Sequence, residues 1–240
     1  MVGGKVMFPF FFFDPTMFIL IPGILLALFA QAKVQGTFNR YSKIAARSGI
    51  TGAQVAKRLL ENNQIYDIAV EQTPGKLSDH YDPRAKVLRL SPEVYNSNSL
   101  SALGVAAHEV GHVMQHHFGY AAFSIRNAIV PIANIGSYAA FPLLILGLFM
   151  GIPQLVQIGV IAFGAAVLFQ LVTLPVEFNA SSRAIHSLEM GGYLIGDEVT
   201  ASRKVLNAAA LTYVAATVMA LLQLLRLLLL SGILGGRRSD

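Results

Sequence analysis

The chain has 240 residues, of which 54% are hydrophobic and only 13% are charged, and its mean hydropathy is +0.56. This composition is typical of a membrane protein and excludes an ordinary soluble domain. Cysteine is absent, which excludes disulfide bonds and cysteine-based zinc sites. The formal net charge of +5 comes mostly from the segment between the first two apolar runs, where it indicates membrane topology and not nucleic-acid binding.

The first predicted element is a transmembrane anchor over residues 1–32. Asp14 and Pro15 have the pattern of an N-cap followed by proline at the first helical position, and an apolar helix continues to residue 32. The alternative is a cleaved signal peptide, because Ala-Gln-Ala at 30–32 resembles a cleavage site. Asp14 interrupts the apolar run, which favours an anchor that is retained.

A polar region of mixed elements follows over residues 33–126. Thr51 and Gln54 form a capping-box pattern that predicts a helix to about Asn62. Residues 65–72 and 86–90 alternate as strands do, and they predict a small sheet. Such a sheet could hold an extended peptide by strand addition or could simply support the next helix, and both interpretations stay open.

The next helix, predicted over 99–117 with Ser99 as its N-cap, contains the sequence His-Glu-Val-Gly-His. Positions i and i+4 share a helix face, so His108 and His112 can bind one Zn²⁺ ion. Glu109 lies to the side, where a general base can act on a zinc-activated water without ligating the metal. Burying these groups in an apolar helix would be costly without a metal, which favours a zinc site over coincidence.

Residues 127–174 are predicted to form a transmembrane hairpin, because two apolar runs are joined by a tight Gly-Ile-Pro turn. No acidic or basic residue lies within this hairpin, which disfavours a transporter. Residues 175–204 are polar again. A final span is predicted over 205–231, followed by a short tail over 232–240.

Four spans place residues 33–126 and 175–204 on the same side of the membrane. That side carries 14 of the 18 lysine and arginine residues. The positive-inside rule therefore predicts that it faces the cytoplasm. Arg237 and Arg238 lie on the opposite side, which is weak evidence against this orientation.

A catalytic zinc needs a third protein ligand and one open position. Metzincins would place a histidine at position 118, and Phe118 excludes that class. Glu177 is the preferred ligand, because the hairpin returns the chain to the side it left and because a glutamate ending an apolar span is expensive unless paired. Its alternative role is a favourable charge near a helix N-terminus. The rival acids are Glu189, Asp197 and Glu198.

Other polar residues could hold the histidine rings or stabilise an oxyanion. Asn179 and Ser181 are within reach of the ring N–H groups. His116 lies one turn beyond His112 and could ligate the metal or contact a neighbouring loop. The candidate oxyanion donors are His80, Arg183, His186 and Tyr213.

The sequence resembles the YugP-type family of membrane-bound neutral zinc metallopeptidases, and more distantly the HtpX and Ste24 proteases. The resemblance covers essentially the whole chain. Besides the anchor, it rests on Ser-Asp-His-Tyr-Asp-Pro at 78–83, Ala-His-Glu-Val-Gly-His at 107–112, Pro-Val-Glu-Phe-Asn-Ala-Ser at 175–181 and Leu-Thr-Tyr-Val-Ala-Ala at 211–216.

In the HtpX and Ste24 proteases the second of the two metal motifs is Glu-x-x-Ala-Asp. Glu177 and Ala180 match this motif, whereas Ser181 replaces the aspartate that normally orients a zinc-bound histidine. The resemblance implies a gluzincin protease, a zinc peptidase whose third ligand is glutamate. It also implies a bacterial plasma-membrane location with catalysis on the cytoplasmic side.

We therefore predict a mainly α-helical membrane protein with about four transmembrane helices and a small α+β zincin-like catalytic region. One Zn²⁺ ion per chain would be held by His108, His112 and Glu177, and Glu109 would act as the base of an endopeptidase. The expected partners are membrane-associated or unfolded protein substrates and the lipid bilayer, with no nucleic acid; a regulatory membrane partner or a homo-oligomer stays open. The alternative is a non-catalytic membrane scaffold with a structural four-ligand zinc site, for example with His116 as the fourth ligand.

Overall fold

The computed structural model describes residues 15–232. The N-cap predicted at Asp14 and the tail from residue 233 onward lie outside the described residues. Four helices in the described part are long and apolar enough to cross a membrane. The chain forms a three-stranded sheet in the segment that follows the first of these helices and precedes the second. The prediction of a mainly α-helical membrane protein with a small α+β region is confirmed.

The elements follow one another in this order. A 3₁₀ helix (Pro15–Leu20) leads into α1 (Ile21–Tyr41), then come α2 (Gly52–Asn62), β1 (Ala69–Gln72), β2 (His80–Asp82), β3 (Val87–Leu90), α3 (Pro92–Tyr95), α4 (Leu100–His117), α5 (Ala121–Met150), α6 (Pro153–Met190) and α7 (Asp197–Leu230). The candidate membrane spans are the 3₁₀ helix with α1, and α5, α6 and α7.

The long helices extend beyond the apolar runs that predict them. Helix α1 continues through basic residues to Tyr41, and α7 begins at Asp197 and not at 205. Helix α6 passes through Pro175, where the sequence predicted a boundary. A proline removes one backbone hydrogen bond, but long apolar helices tolerate it. As a consequence, Glu177 lies on the same helix as the second arm of the hairpin.

The chain forms two compact units. One unit contains the segment Val130–Gln170 and other apolar helix segments, with a small core of Leu144, Val156, Val160 and Leu227. The other unit consists of Phe29–Ile129 and Leu171–Val214 and contains the sheet and the His-Glu-Val-Gly-His helix. Everything described below about the metal centre belongs to this second unit.

Helix α4 lies at the centre of the core of the second unit. Ser99 caps it as predicted, and the predicted capping box of α2 is also formed. Leu103, Val110 and Val113 on α4 are at most 1% exposed. Their neighbours come from α2, α3 and the sheet. Burial on this scale fixes the helix that carries the two histidines.

The sheet has the strand order β1-β3-β2, with β1 parallel and β2 antiparallel to β3. The strand predicted over 65–72 is limited to Ala69–Gln72, and residues 80–82, for which no strand was predicted, form β2. A strand of three residues is too short for alternation to reveal it. Strand β2 lies at an edge of the sheet and contacts α4.

Candidate metal centre

Three side chains converge on one point. The Oε2 atom of Glu177 lies 3.2 Å from Nε2 of His108 and 3.6 Å from Nε2 of His112. The three potential ligand atoms all lie within 4.8 Å of one another. Ligand atoms around a tetrahedral zinc ion are about 3.3 Å apart, so two nitrogens and one carboxylate oxygen in this arrangement fit such an ion.

The convergence depends on a close approach of α4 and α6 at Gly111. A Cβ atom added to Gly111 would lie only 2.6 Å from the carbonyl oxygen of Ala180 and 3.1 Å from its Cα. The obstacle is backbone, which cannot rotate away as a side chain can. Glu177 lies one turn before Ala180 on α6, so this contact brings its carboxylate to the histidines.

The ring of His112 is held by Gln115, which is fully buried. The Nε2 group of Gln115 donates to the Val176 carbonyl at 2.7 Å and to Asn179 Oδ1 at 3.1 Å. Its Oε1 atom lies 3.0 Å from Nδ1 of His112 and accepts from it, because an amide oxygen has no hydrogen to donate. His112 therefore carries its proton on Nδ1 and presents the Nε2 lone pair to the metal position.

The ring of His108 has a different partner. Its Nδ1 atom lies 3.1 Å from Oγ of Ser181, at the position where HtpX-type proteins have aspartate. Within residues 15–232, Asn179 forms no hydrogen bond with a histidine. Its Oδ1 atom accepts from Nε of Arg183 at 2.8 Å as well as from Gln115, so Asn179 orients Gln115 instead.

The Glu177 carboxylate has two further neighbours. Nη2 of Arg126 lies 3.9 Å from its Oε1 atom, and the Tyr213 hydroxyl forms a hydrogen bond with the carboxylate. Nε of Arg126 is buried and has no hydrogen-bond partner among residues 15–232. Besides the two histidines, Glu177 therefore has a hydroxyl group and a nearby cation as neighbours.

Glu109 is 9% exposed and forms no hydrogen bond or ion pair within the described part of the chain. Its charge acts on His112. Burial on its own lowers the pKa of His112, but the neighbouring Glu177 and Glu109 carboxylates outweigh burial, and the pKa is raised. A raised pKa means that protons compete with a metal ion for the His112 nitrogen.

The other predicted histidines lie apart from the three converging ligands. Nδ1 of His116 is 2.8 Å from the Tyr81 hydroxyl. Burial raises the pKa of Tyr81 to about 12, so this hydroxyl stays protonated in its hydrogen bond with His116. Nδ1 of His80 lies 2.7 Å from the Ser78 carbonyl, and His186 is exposed on α6.

Sequence reasoning missed Gln115 and Arg126. Gln115 is the polar residue three positions after His112 in an apolar helix, and a buried amide there needs a partner such as the histidine ring. Arg126 is the cation that precedes the second apolar run, where the sequence indicates only membrane topology. Both could have been found by asking what a buried polar group at each position would bond.

We expect Gln115→Met to weaken zinc binding about 10- to 100-fold, because the ring of His112 loses the acceptor that fixes its tautomer. The measurement is a zinc titration of the detergent-purified chain against a competing chelator. His116→Gln is the control in the same helix and should keep wild-type affinity. Unchanged affinity in Gln115→Met would show that this amide does not position the ligand.

Comparisons with known proteins show which family the chain is similar to. A family model described as "putative neutral zinc metallopeptidase" matches residues 16–232. The chain is also 48% identical over 215 residues to "Putative membrane protease YugP" of Bacillus subtilis (strain 168), covering 89% of this chain and 95% of that relative. No solved structure gives a significant match.

Proposed function

Since this chain belongs to the family of neutral zinc metallopeptidases, we propose that it is an integral-membrane zinc endopeptidase of the gluzincin type. The observation that carries the proposal is the convergence of His108, His112 and Glu177 on one point. Their donor set, two imidazole nitrogens and one carboxylate oxygen, is the one found in gluzincin-type catalytic zinc sites.

In the proposed peptide hydrolysis, zinc and Glu109 have different roles. When bound, zinc supplies a Lewis acid that polarises the scissile carbonyl and lowers the pKa of water. Glu109 takes a proton from the attacking water and passes it to the leaving amine. Its lack of an ion pair or hydrogen bond in the described part of the chain supports this role, because a base held by a cation would be a weaker proton acceptor.

Tyr213 is the proposed donor to the negative charge that develops on the carbonyl oxygen, and its single O–H hydrogen would turn from Glu177 to that oxygen. Its hydroxyl already lies at the Glu177 carboxylate, beside the position where zinc would bind. Arg126 adds positive charge at the same carboxylate. Among the predicted donors, Tyr213 is the one whose contact with a ligand residue supports this role, whereas His80 and His186 have no such contact among residues 15–232.

The proposed substrates are membrane-associated or unfolded polypeptides. Strand β2 pairs only with β3 among the described strands, so one edge can bond an extended peptide. Tyr81 of β2 is bonded to His116 of α4, which places that edge beside the helix that carries the two histidines. The excess of lysine and arginine in the segments that form the site supports an orientation toward the cytoplasm of a bacterial plasma membrane.

The test is cleavage of an unfolded protein by the detergent-purified chain, with zinc content measured on the same sample. We expect one zinc ion per chain, loss of cleavage after removal of zinc with a chelator, and recovery when zinc is added back. Cleavage that survives complete removal of zinc would contradict the proposal. One bound zinc ion without cleavage, together with unfolding on zinc removal, would favour the structural scaffold.

A further inference from the structure

Two helices of the second unit form a cleft whose lining contains none of the metal-centre residues. It has a volume of about 710 Å³ and lies between α1 and α7. We call it the basic cleft, and its lining includes Lys33, Gly36, Thr37, Arg40, Lys204 and Asn207. The inference drawn here does not depend on the proposed protease function.

The basic cleft has three cations and no carboxylate in its lining. Lys33 lies over the ring of Phe29 and Arg40 over the ring of Tyr41. Within residues 15–232, neither of these side chains nor Lys204 forms an ion pair. A cleft with this charge distribution attracts anions and is not neutralised by the protein itself.

The nearby carboxylates of α7 do not cancel this charge. Asp197 forms an ion pair with Arg47 at 3.1 Å, and Glu198 accepts from the backbone N–H of Arg47 at 2.8 Å. Arg47 balances one of these two negative charges, so at most one remains to offset the three cations of the basic cleft. The cations of the basic cleft remain available for a ligand.

The spacing of the residues fits one ligand held between two helix faces. Lys33, Thr37 and Arg40 follow at i, i+4 and i+7 on α1, and Lys204 and Asn207 at i and i+3 on α7. A Cβ atom added to Gly36 would meet nothing within 4 Å, so the space between these faces is open. Two ammonium groups, a guanidinium, a hydroxyl and an amide are groups that bind phosphate oxygens.

The positions of the cleft cations along the chain indicate a lipid headgroup as the source of such a phosphate. Lys33 is the first charged residue after the apolar run of α1, and the apolar run of α7 begins directly after Lys204. Cations at the ends of apolar helix segments lie at the depth of lipid headgroups. Ala32 and Leu211 extend the lining with apolar surface that suits the start of an acyl chain.

We infer that the basic cleft binds the phosphate headgroup of an anionic phospholipid, with the three cations on the phosphate and the acyl chains along the apolar ends of α1 and α7. The alternative is that these residues only attract the anionic membrane surface, as any basic residue does. The two explanations differ in whether the position of the charges matters.

The experiment uses the full chain purified in a neutral detergent and titrated with phosphatidylglycerol, with retained lipid measured by native mass spectrometry. We expect binding of one phosphatidylglycerol, with phosphatidylcholine retained much less. The triple variant Lys33→Gln/Arg40→Gln/Lys204→Gln should bind phosphatidylglycerol on the order of 100-fold more weakly.

The matched control is Lys43→Gln/Lys57→Gln/Arg58→Gln, which removes the same three charges from exposed positions outside the cleft and should keep wild-type binding. Equal losses in both triple variants would overturn the inference. Gly36→Leu keeps every charge and fills the open space, so it should also reduce binding. If millimolar inorganic phosphate displaces the lipid completely, the occupant is a soluble phosphate compound and the lipid assignment is wrong.

Discussion

The variant Glu109→Gln is expected to lower peptide hydrolysis about 100- to 10,000-fold while the chain still binds one zinc ion. Glutamine has the shape of glutamate but cannot accept the proton of the attacking water. The ligands His108, His112 and Glu177 are unchanged in this variant, so metal binding should persist. Cleavage rate and zinc content are measured on the same purified sample.

The control is Glu61→Gln, the same chemical change at an exposed position on α2, and it should cleave at the wild-type rate. Two results would count against Glu109 as the base. Wild-type cleavage in Glu109→Gln would remove it from the mechanism, and loss of zinc would assign it to metal binding.

The variant Gly111→Ala should lose zinc and activity together. Its new Cβ atom would meet the Ala180 backbone at 2.6 Å, so α6 has to move away from α4. Overpacking of this kind costs about 1–3 kcal/mol of stability. Glu177 moves with α6, and a displacement of about 1 Å in a catalytic site can cost about 100-fold in rate. Thermal unfolding, zinc affinity and cleavage rate are the three readouts.

Gly164→Ala is the matched control, since it makes the same change inside α6 where an added Cβ would meet nothing within 4 Å. Helix propensity favours alanine by about 1 kcal/mol, so this variant should be as stable as the wild type or more stable. If Gly111→Ala unfolds at the wild-type temperature and keeps its zinc affinity, the close approach at Ala180 does not exist.

Long apolar runs and caps made most of the fold predictable from the sequence. Four apolar stretches gave the four candidate spans, and Ser99 gave the start of the zinc-motif helix. The helix ends were less predictable, because α6 continues through Pro175 to Met190. A proline normally marks a boundary, and only packing around a long helix decides otherwise.

The candidate ligands could be named from the sequence because His108 and His112 have the fixed i, i+4 spacing of a zinc site on one helix. Glu177 then stands out as the acidic residue directly after the hairpin. The contacts that arrange them were not visible in the same way. Gly111 occupies a variable position of the motif, and only the path of α6 shows that no side chain fits there. The role of Gln115 in holding His112 is recognised only from the structure, where Val176 and Asn179 accept both hydrogens of its amide.

Strand β2 has only three residues, and its length limits how tightly a peptide can bind along it. A net gain of about 1 kcal/mol for each backbone hydrogen bond gives the roughly two to four bonds that such an edge offers an affinity no tighter than about 1 mM. A freely diffusing peptide would rarely occupy such an edge. A substrate confined to the same bilayer is present at a local concentration in the millimolar range, which compensates for weak recognition. Selection by the proposed protease would then rest on shared location more than on the residues around the scissile bond.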